Sequence, residues 1–188
     1  MGPVVHFATL NKLDPYFNFS VGNPIDSIEA DLAGPSHGYD VPKNTGNILQ
    51  RIEDTFIELK IEKSDKLIRR LVHYVCDALS IGQIGGQEFW EKTYISGRVS
   101  KDDAIDFACE FVTRKNINKF IRYEFLSLDE AKAFTKEQMY LTYKIYYPDS
   151  KDWFKNRFVT PKEVTHMTRR AVALGASIAY GWLNLLDD

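Results

Sequence analysis

The chain contains little cysteine and little histidine. Of its 188 residues, two are cysteines and four are histidines. Cys76 and Cys109 are too few for a disulfide scaffold, and they lack the CxxC spacing of a thiolate zinc site, so both classes are excluded. Any metal site in this protein would therefore be built from histidines and carboxylates, and the supply of histidines is short.

The chain also lacks an excess of charge of either sign and a long apolar run. It has 24 Lys and Arg against 26 Asp and Glu, for a formal net charge of −2, which gives no reason to expect nucleic acid as an obligate partner. No stretch approaches the roughly 20 apolar residues that span a bilayer. The chain does not begin with a basic segment followed by an apolar run, as a signal peptide does. The sequence therefore predicts a cytoplasmic protein without a transmembrane segment.

The composition is otherwise typical of a globular protein. Hydrophobic residues make up 44% of the chain and charged residues 27%, which excludes the disordered and fibrous classes. The length suits one domain with a sizeable core. We therefore expect residues 1–188 to form a single domain.

Prolines and glycines interrupt residues 1–44, which predicts a short first helix near His6 and then a long irregular segment. After this segment, apolar residues recur every three or four positions, as they do on one face of a helix. These stripes predict helices that begin near Thr45, Ser64, Ser100, Ser127 and Thr160. The fold class that follows is all-α, a multi-helix bundle.

Three of these helices have recognisable starts. Ser64 is placed as an N-cap, and Ser127 with Glu130 forms a capping box. Thr160 precedes Pro161, the residue type favoured in the first turn of a helix.

Two further features concern the second half of the chain. Residues 140–147 are strand-like but would equally finish the helix that begins near Ser127. Gly175 and Gly181 lie inside the last helix, where glycine costs about 1 kcal/mol relative to alanine. We therefore expect another helix to approach the last helix closely at the glycines.

His73 and Asp77 are the first candidates for chemistry. They are four residues apart on one helix, so their side chains leave the same face one turn apart, as two ligands of one metal ion would. Measured from Leu67 at 100° per residue, both point away from the apolar stripe. A histidine and an aspartate on a solvated face need no function, so this alternative stays open.

Other candidate ligands lie outside that helix. Asp31 and His37 fall in the irregular segment, where a loop can approach a helix face. His6 precedes them, and Glu91 follows a glycine-rich break. Each also has an ordinary interpretation as a turn, core or surface residue. His166 has no acidic partner at helical spacing, and we interpret it as structural or exposed.

The order of these residues resembles the zinc-dependent phospholipase C and S1–P1 nuclease superfamily. LVHYVCDALSIGQI (71–84) is similar to that family's helix reading HYLGD and the turn after it. ADLAGPSHGYD (30–40) resembles the loop that supplies an Asp and then a His, and RAVALGASIAYGWLNLLDD (170–188) resembles the C-terminal helix of small residues. The resemblance implies an all-α enzyme that holds up to three zinc ions in one cleft and cleaves phosphodiester bonds.

The resemblance also implies roles for the candidate residues. His73 and Asp77 would match the helix pair, with Asp77 bridging two metal ions, and Asp31 and His37 would complete a zinc site. Asp31 would be a ligand or the general base. Two further matches would be His6, the N-terminal histidine of a further zinc, and Glu91, the glutamate of the second helix.

Two departures from the family pattern leave an alternative open. Gln83 and Gln87 stand where the family has histidines, and neutral amides are poor zinc ligands. We therefore expect one zinc ion, held by the set Asp31, His37, His73 and Asp77, and a weaker second ion at His6 and Asp77. The predicted function is hydrolysis of a phosphodiester or phospholipid. The first alternative is a non-catalytic member of the superfamily that binds a partner or ligand. The second is an unrelated helical protein, in which these side chains would not converge.

Overall fold

The computed structural model describes residues 2–21, 45–79, 120–146 and 161–187, and the described part is all-α. It contains five helices and no strand. The helices are α1 (Gly2–Phe17), α2 (Thr45–Ile61), α3 (Asp65–Ala78), α4 (Leu128–Tyr146) and α5 (Pro161–Asn184). The predicted fold class is confirmed at the level of all-α. The helix predicted near Ser100 lies outside the described residues.

Helices α3 and α5 lie at the centre of the packing. Helix α3 packs against α1, α2 and α5, and α5 also packs against α1 and α4. The predicted stripe of α2 is buried, with Ile52 and Leu59 fully enclosed. Trp182 of α5 is fully buried against Phe56, and its indole Nε1 donates a hydrogen bond to Thr135 of α4. These contacts join the helices around one hydrophobic core.

Helix α1 is longer than the short helix predicted from the prolines. Pro3 lies in its first turn, where a backbone N–H has no partner within the helix to lose. Pro15 lies in its last turn. The helix ends at Asn18, which has a positive φ of 47° and donates its backbone N–H to the carbonyl of Asp14. Asparagine tolerates this left-handed conformation, so it replaces the glycine that often ends a helix.

The predicted caps of α3 and α4 are confirmed. Ser64 Oγ accepts a hydrogen bond from the backbone N–H of Leu67. Ser127 Oγ accepts from the N–H of Glu130, and the Glu130 carboxylate accepts in return from the N–H of Leu126, one residue before the expected partner. Residues 140–146 continue α4, so the helical interpretation of this stretch is correct.

The predicted close approach of a helix is confirmed at Gly175, which lies against α3, whereas the close neighbour of Gly181 belongs to a non-helical segment. A Cβ atom at Gly181 would lie 2.4 Å from the ring of Phe125, and one at Gly175 would lie 3.1 Å from the Sγ of Cys76. Phe125 belongs to the non-helical stretch 120–127, which is tied to α5 by a hydrogen bond from the N–H of Ile121 to Ser177 Oγ. An alanine at Gly181 would overlap the Phe125 ring, whereas one at Gly175 would need the Cys76 sulfur to yield by a few tenths of an ångström.

In the described part of the chain, none of the helices combines the length and the apolar character needed to cross a bilayer.

Candidate metal centre

Three of the predicted ligands, His6, His73 and Asp77, converge at the interface of α1 and α3. His6 Nε2 lies 3.1 Å from Asp77 Oδ1, and His73 Nε2 lies 3.1 Å from Asp77 Oδ2. The two Nδ1 atoms are 3.2 Å apart, and the ring centroids are separated by 4.4 Å. The three side chains thus form a closed triangle of contacts, which we call the His–Asp–His cluster.

The local structure explains how each side chain reaches the cluster. The four-residue spacing of His73 and Asp77 places them one turn apart on the same face of α3. Helix α1 runs antiparallel to α3, since His6 meets its C-terminal half while Ser20 contacts Asp65 at its start. The cluster therefore depends on a long-range contact between residues 71 positions apart in the chain.

The alternative in which His73 and Asp77 form a pair on a solvated face does not hold. The exposed fraction is 4% for His73, 1% for Asp77 and 3% for His6. The helical wheel of α3 correctly separates the apolar stripe from these residues. However, α1 covers the polar face of its C-terminal half, and residues 71–79 are all buried. A pair on a solvated face is thereby excluded.

The environment of Asp77 favours its charged form. Burial by itself raises the pKa of Asp77, because the ionised carboxylate loses its hydration. The charge of His73 and the hydrogen bond from His6 act in the opposite direction and are stronger together. The pKa of Asp77 is therefore held well below its usual range, and the carboxylate stays ionised at neutral pH.

The contacts also imply a proton arrangement. A proton on His6 Nε2 makes the hydrogen bond to Asp77 Oδ1, and a proton between the two Nδ1 atoms makes the contact between the rings. A proton on His73 Nε2 faces Asp77 Oδ2 in an ion pair that lacks the geometry of a hydrogen bond. In this arrangement one imidazole is neutral and the other is charged. The positive charge balances the carboxylate, so the cluster is neutral as a whole, which lowers the cost of burying it.

The donor set fits a divalent transition metal ion. Two imidazoles and one carboxylate are the three protein ligands at which zinc keeps an open coordination position. The side chains offer one ligand atom each within 4.8 Å of one another. Ligands of a tetrahedral zinc ion lie about 3.3 Å apart, so these atoms would need to approach one another by at most about 1.5 Å.

A second layer of contacts adjoins the cluster, and it includes Thr9, which is not among the residues predicted from the sequence. The Cys76 thiol donates to Thr9 Oγ1 at 3.4 Å, and Gly175 of α5 lies against both residues. Thr9 follows His6 by three residues, so helical periodicity would have placed the two on one face of α1. The sequence indicates Cys76 only as one of two cysteines and Gly175 only as a packing glycine.

The other predicted site residues are not described by the structure. Asp31, His37 and Glu91 lie outside the described residues, as do Gln83 and Gln87. His166 lies in the first half of α5. The convergence of Asp31 and His37 with the helix pair therefore stays a prediction.

Comparison with known proteins gives no independent assignment. The resemblance to the phospholipase C and S1–P1 nuclease superfamily stays a prediction from three short motifs. Neither a protein-family model, nor a curated protein, nor a solved structure matches this chain.

Proposed function

We propose that the His–Asp–His cluster binds a divalent metal ion, with zinc preferred, and that the protein is a metal-dependent phosphodiester hydrolase. The observation that carries the proposal is the convergence of His6, from α1, with His73 and Asp77, from α3. Imidazole and carboxylate are ligands that zinc accepts, and a sulfur ligand is not required.

Both histidines would bind the same ion. The distance from His6 Nδ1 to His73 Nδ1 and the distance from His6 Nε2 to Asp77 Oδ1 differ by only about 0.1 Å. This favours one shared ion over a division in which His73 belongs to a first site and His6 to a second. As the resemblance implies, Asp31 and His37 would complete the coordination, and Glu91 would serve a further ion.

The chain's own residues would prepare this site in three ways. The Asp77 carboxylate is ionised, because its pKa is lowered, and a metal ion would take the place of protons now held by the two imidazoles. Burial keeps water from competing for the ring nitrogens, and α1 and α3 fix the directions of the side chains. A bound zinc ion would polarise a phosphoryl oxygen and lower the pKa of a water molecule to about 7. Asp31 would then be the ligand or general base that the resemblance implies.

Elemental analysis of protein purified without chelator tests the first half of the proposal. We expect about one zinc ion per chain, lost in His73→Ala and retained in the matched variant His166→Ala. Circular dichroism of both variants shows whether the helices are intact. Metal-free wild-type protein that fails to take up Zn²⁺ or Co²⁺ would refute the metal site.

Hydrolysis of bis-p-nitrophenyl phosphate and of short-chain phosphatidylcholine tests the second half. We expect turnover by the zinc-loaded protein that disappears in His73→Ala and persists in His166→Ala. Activity that survives His73→Ala would point to a contaminating enzyme and would refute the assignment.

The burial of the cluster favours a second candidate function, a non-catalytic binding protein. All three side chains have exposed fractions of 4% or less, and a substrate must reach the ion for catalysis. The amides Gln83 and Gln87, which stand where the resembled family has histidines, also favour this candidate. A stoichiometric zinc ion without turnover of either substrate would favour this candidate over the hydrolase.

A further inference from the structure

Gly175 of α5 touches the layer directly beneath the His–Asp–His cluster. A Cβ atom at Gly175 would lie 3.1 Å from Cys76 Sγ, 3.7 Å from Thr9 Oγ1 and 3.9 Å from the Cα of Cys76. The last two distances are ordinary van der Waals contacts, and the first is shorter than carbon and sulfur normally allow. The absence of a side chain at Gly175 thus determines how closely α5 approaches one atom, the Cys76 sulfur.

Thr9 and Cys76 each stand one turn away from a member of the cluster. Thr9 follows His6 by three residues on α1, and Cys76 follows His73 by three and precedes Asp77 directly on α3. Their contact, 3.4 Å from sulfur to hydroxyl oxygen, joins the same two helices that the cluster joins. Any change in the separation of α1 and α3 at this layer therefore reaches the cluster within one turn.

We infer that Gly175 is a positioning residue for the His–Asp–His cluster, an inference that rests on the proposed metal binding. By leaving room for the Cys76 sulfur, it lets α1 and α3 pack at the separation at which His6 meets His73 and Asp77. The sulfur has little freedom to yield, because Cys76 is fully buried and its hydrogen bond to Thr9 holds it in place.

The displacement that an alanine side chain would cause at position 175 is large enough to affect metal binding more than it affects the fold. A methyl group at position 175 would force its neighbours apart by several tenths of an ångström. The ligand atoms already have to approach one another by up to about 1.5 Å to hold zinc, so a further displacement of several tenths of an ångström adds directly to the cost of binding. A helix interface absorbs such a shift by small adjustments spread over many contacts. The affinity for metal would therefore fall more than the stability of the fold.

The test measures the dissociation constants of Zn²⁺ and Co²⁺ by competition with a chromophoric chelator. We expect Gly175→Ala to raise the dissociation constant about tenfold or more, within the about 10- to 100-fold range for residues that support metal ligands. The visible absorption of bound Co²⁺ should shift as well. Adding Cys76→Ala in the same chain removes the overlapping sulfur and should restore the affinity to within about threefold of wild type.

Gly181→Ala is the matched control. The added methyl group would meet the Phe125 ring on the other side of α5, so this variant should melt at a lower temperature and keep the wild-type affinity. Equal affinities in Gly175→Ala and wild-type protein would overturn the inference. So would an equal loss in Gly181→Ala, because the effect would then be one of general stability.

Two further outcomes keep the inference and the proposed function apart. Wild-type protein that binds no metal refutes the proposed function, and the inference falls with it. If Gly175→Ala does not fold, the metal affinities of two double variants are compared instead. One combines Gly175→Ala with Cys76→Ser, and the other combines Gly175→Ala with Cys76→Ala. The serine oxygen relieves only part of the overlap, so the serine variant should bind Co²⁺ more weakly. Equal binding by the two variants would overturn the inference alone.

Discussion

Replacement of Asp77 by alanine tests the electrostatics of the His–Asp–His cluster most directly. The carboxylate has an exposed fraction of 1% and contacts both His6 and His73 at 3.1 Å. Its removal leaves the buried N–H of His6 without its acceptor and a positive charge without its counter-ion. Breaking a buried ion pair in this way costs about 3–5 kcal/mol, and we expect the free energy of unfolding at pH 7 to fall by that amount.

Asp77→Asn removes the charge of the side chain and keeps its shape. The amide has nearly the same volume and keeps one acceptor oxygen. With both imidazoles neutral, one ring donates to this oxygen, the other accepts from the amide N–H, and one proton remains between the Nδ1 atoms. All three contacts persist without any buried charge, so we expect Asn to cost clearly less than Ala. Both variants should lose metal binding, because alanine offers no ligand atom and an amide is a poor ligand.

The stability difference between wild type and Asp77→Ala should depend on pH in a defined direction. The pKa of Asp77 is lower in the folded protein than its usual value of 3.8. Above this value the carboxylate is ionised in both states, and its stabilising contribution is fully present. As the pH falls below 3.8, the unfolded chain takes up a proton that the folded protein does not, so the contribution shrinks.

Urea unfolding followed by circular dichroism, in EDTA and between pH 3 and pH 7, measures these effects. Asp65→Ala is the matched control on α3: Asp65 is exposed in the first turn and accepts a hydrogen bond from the backbone N–H of Ser20, contributions that together amount to about 1–2 kcal/mol. Equal losses in Asp77→Ala and Asp65→Ala at pH 7 would refute the buried ion pair. A difference between wild type and Asp77→Ala that stays constant to pH 3 would refute the lowered pKa.

Three further predictions concern the ligand, a helix cap and the core. Zinc at about 100 times its dissociation constant should raise the melting temperature of the wild-type protein by about 5–10 °C, and a similar rise in His6→Ala would contradict the ligand assignment. Ser64→Ala should lower the free energy of unfolding by about 1 kcal/mol in urea titrations, because the N–H of Leu67 loses its acceptor. Trp182→Phe should cost about 2–3 kcal/mol in the same assay, since it removes the hydrogen bond to Thr135 and leaves a cavity, and a loss below 1 kcal/mol would argue against that buried bond.

The helices were predictable where neighbours within one turn determine them. Ser64 caps α3 through a hydrogen bond to a residue three positions away, and Ser127 with Glu130 does the same for α4. Such signals are written in consecutive residues, so the starts of these helices could be read directly. The prolines of α1 were a weaker guide, because Pro3 and Pro15 lie in its first and last turns, where proline disrupts a helix least.

Sequence periodicity does not show which element packs on the polar face of α3. Periodicity correctly placed His73 and Asp77 on one face and opposite the apolar stripe, but it left open whether that face is solvated. A helical wheel records directions around one axis and carries no information about which other helix packs there. In the structure α1 covers this face, and it brings His6 and Thr9 with it.

The sequence by itself therefore determined the all-α class, the caps of α3 and α4 and the shared face of His73 and Asp77. These follow from backbone geometry that repeats every few residues. Only the tertiary structure decided that His6 completes the cluster and that all three side chains are buried. That contact joins residues 71 positions apart, and its existence depends on how α1, α3 and α5 pack against one another.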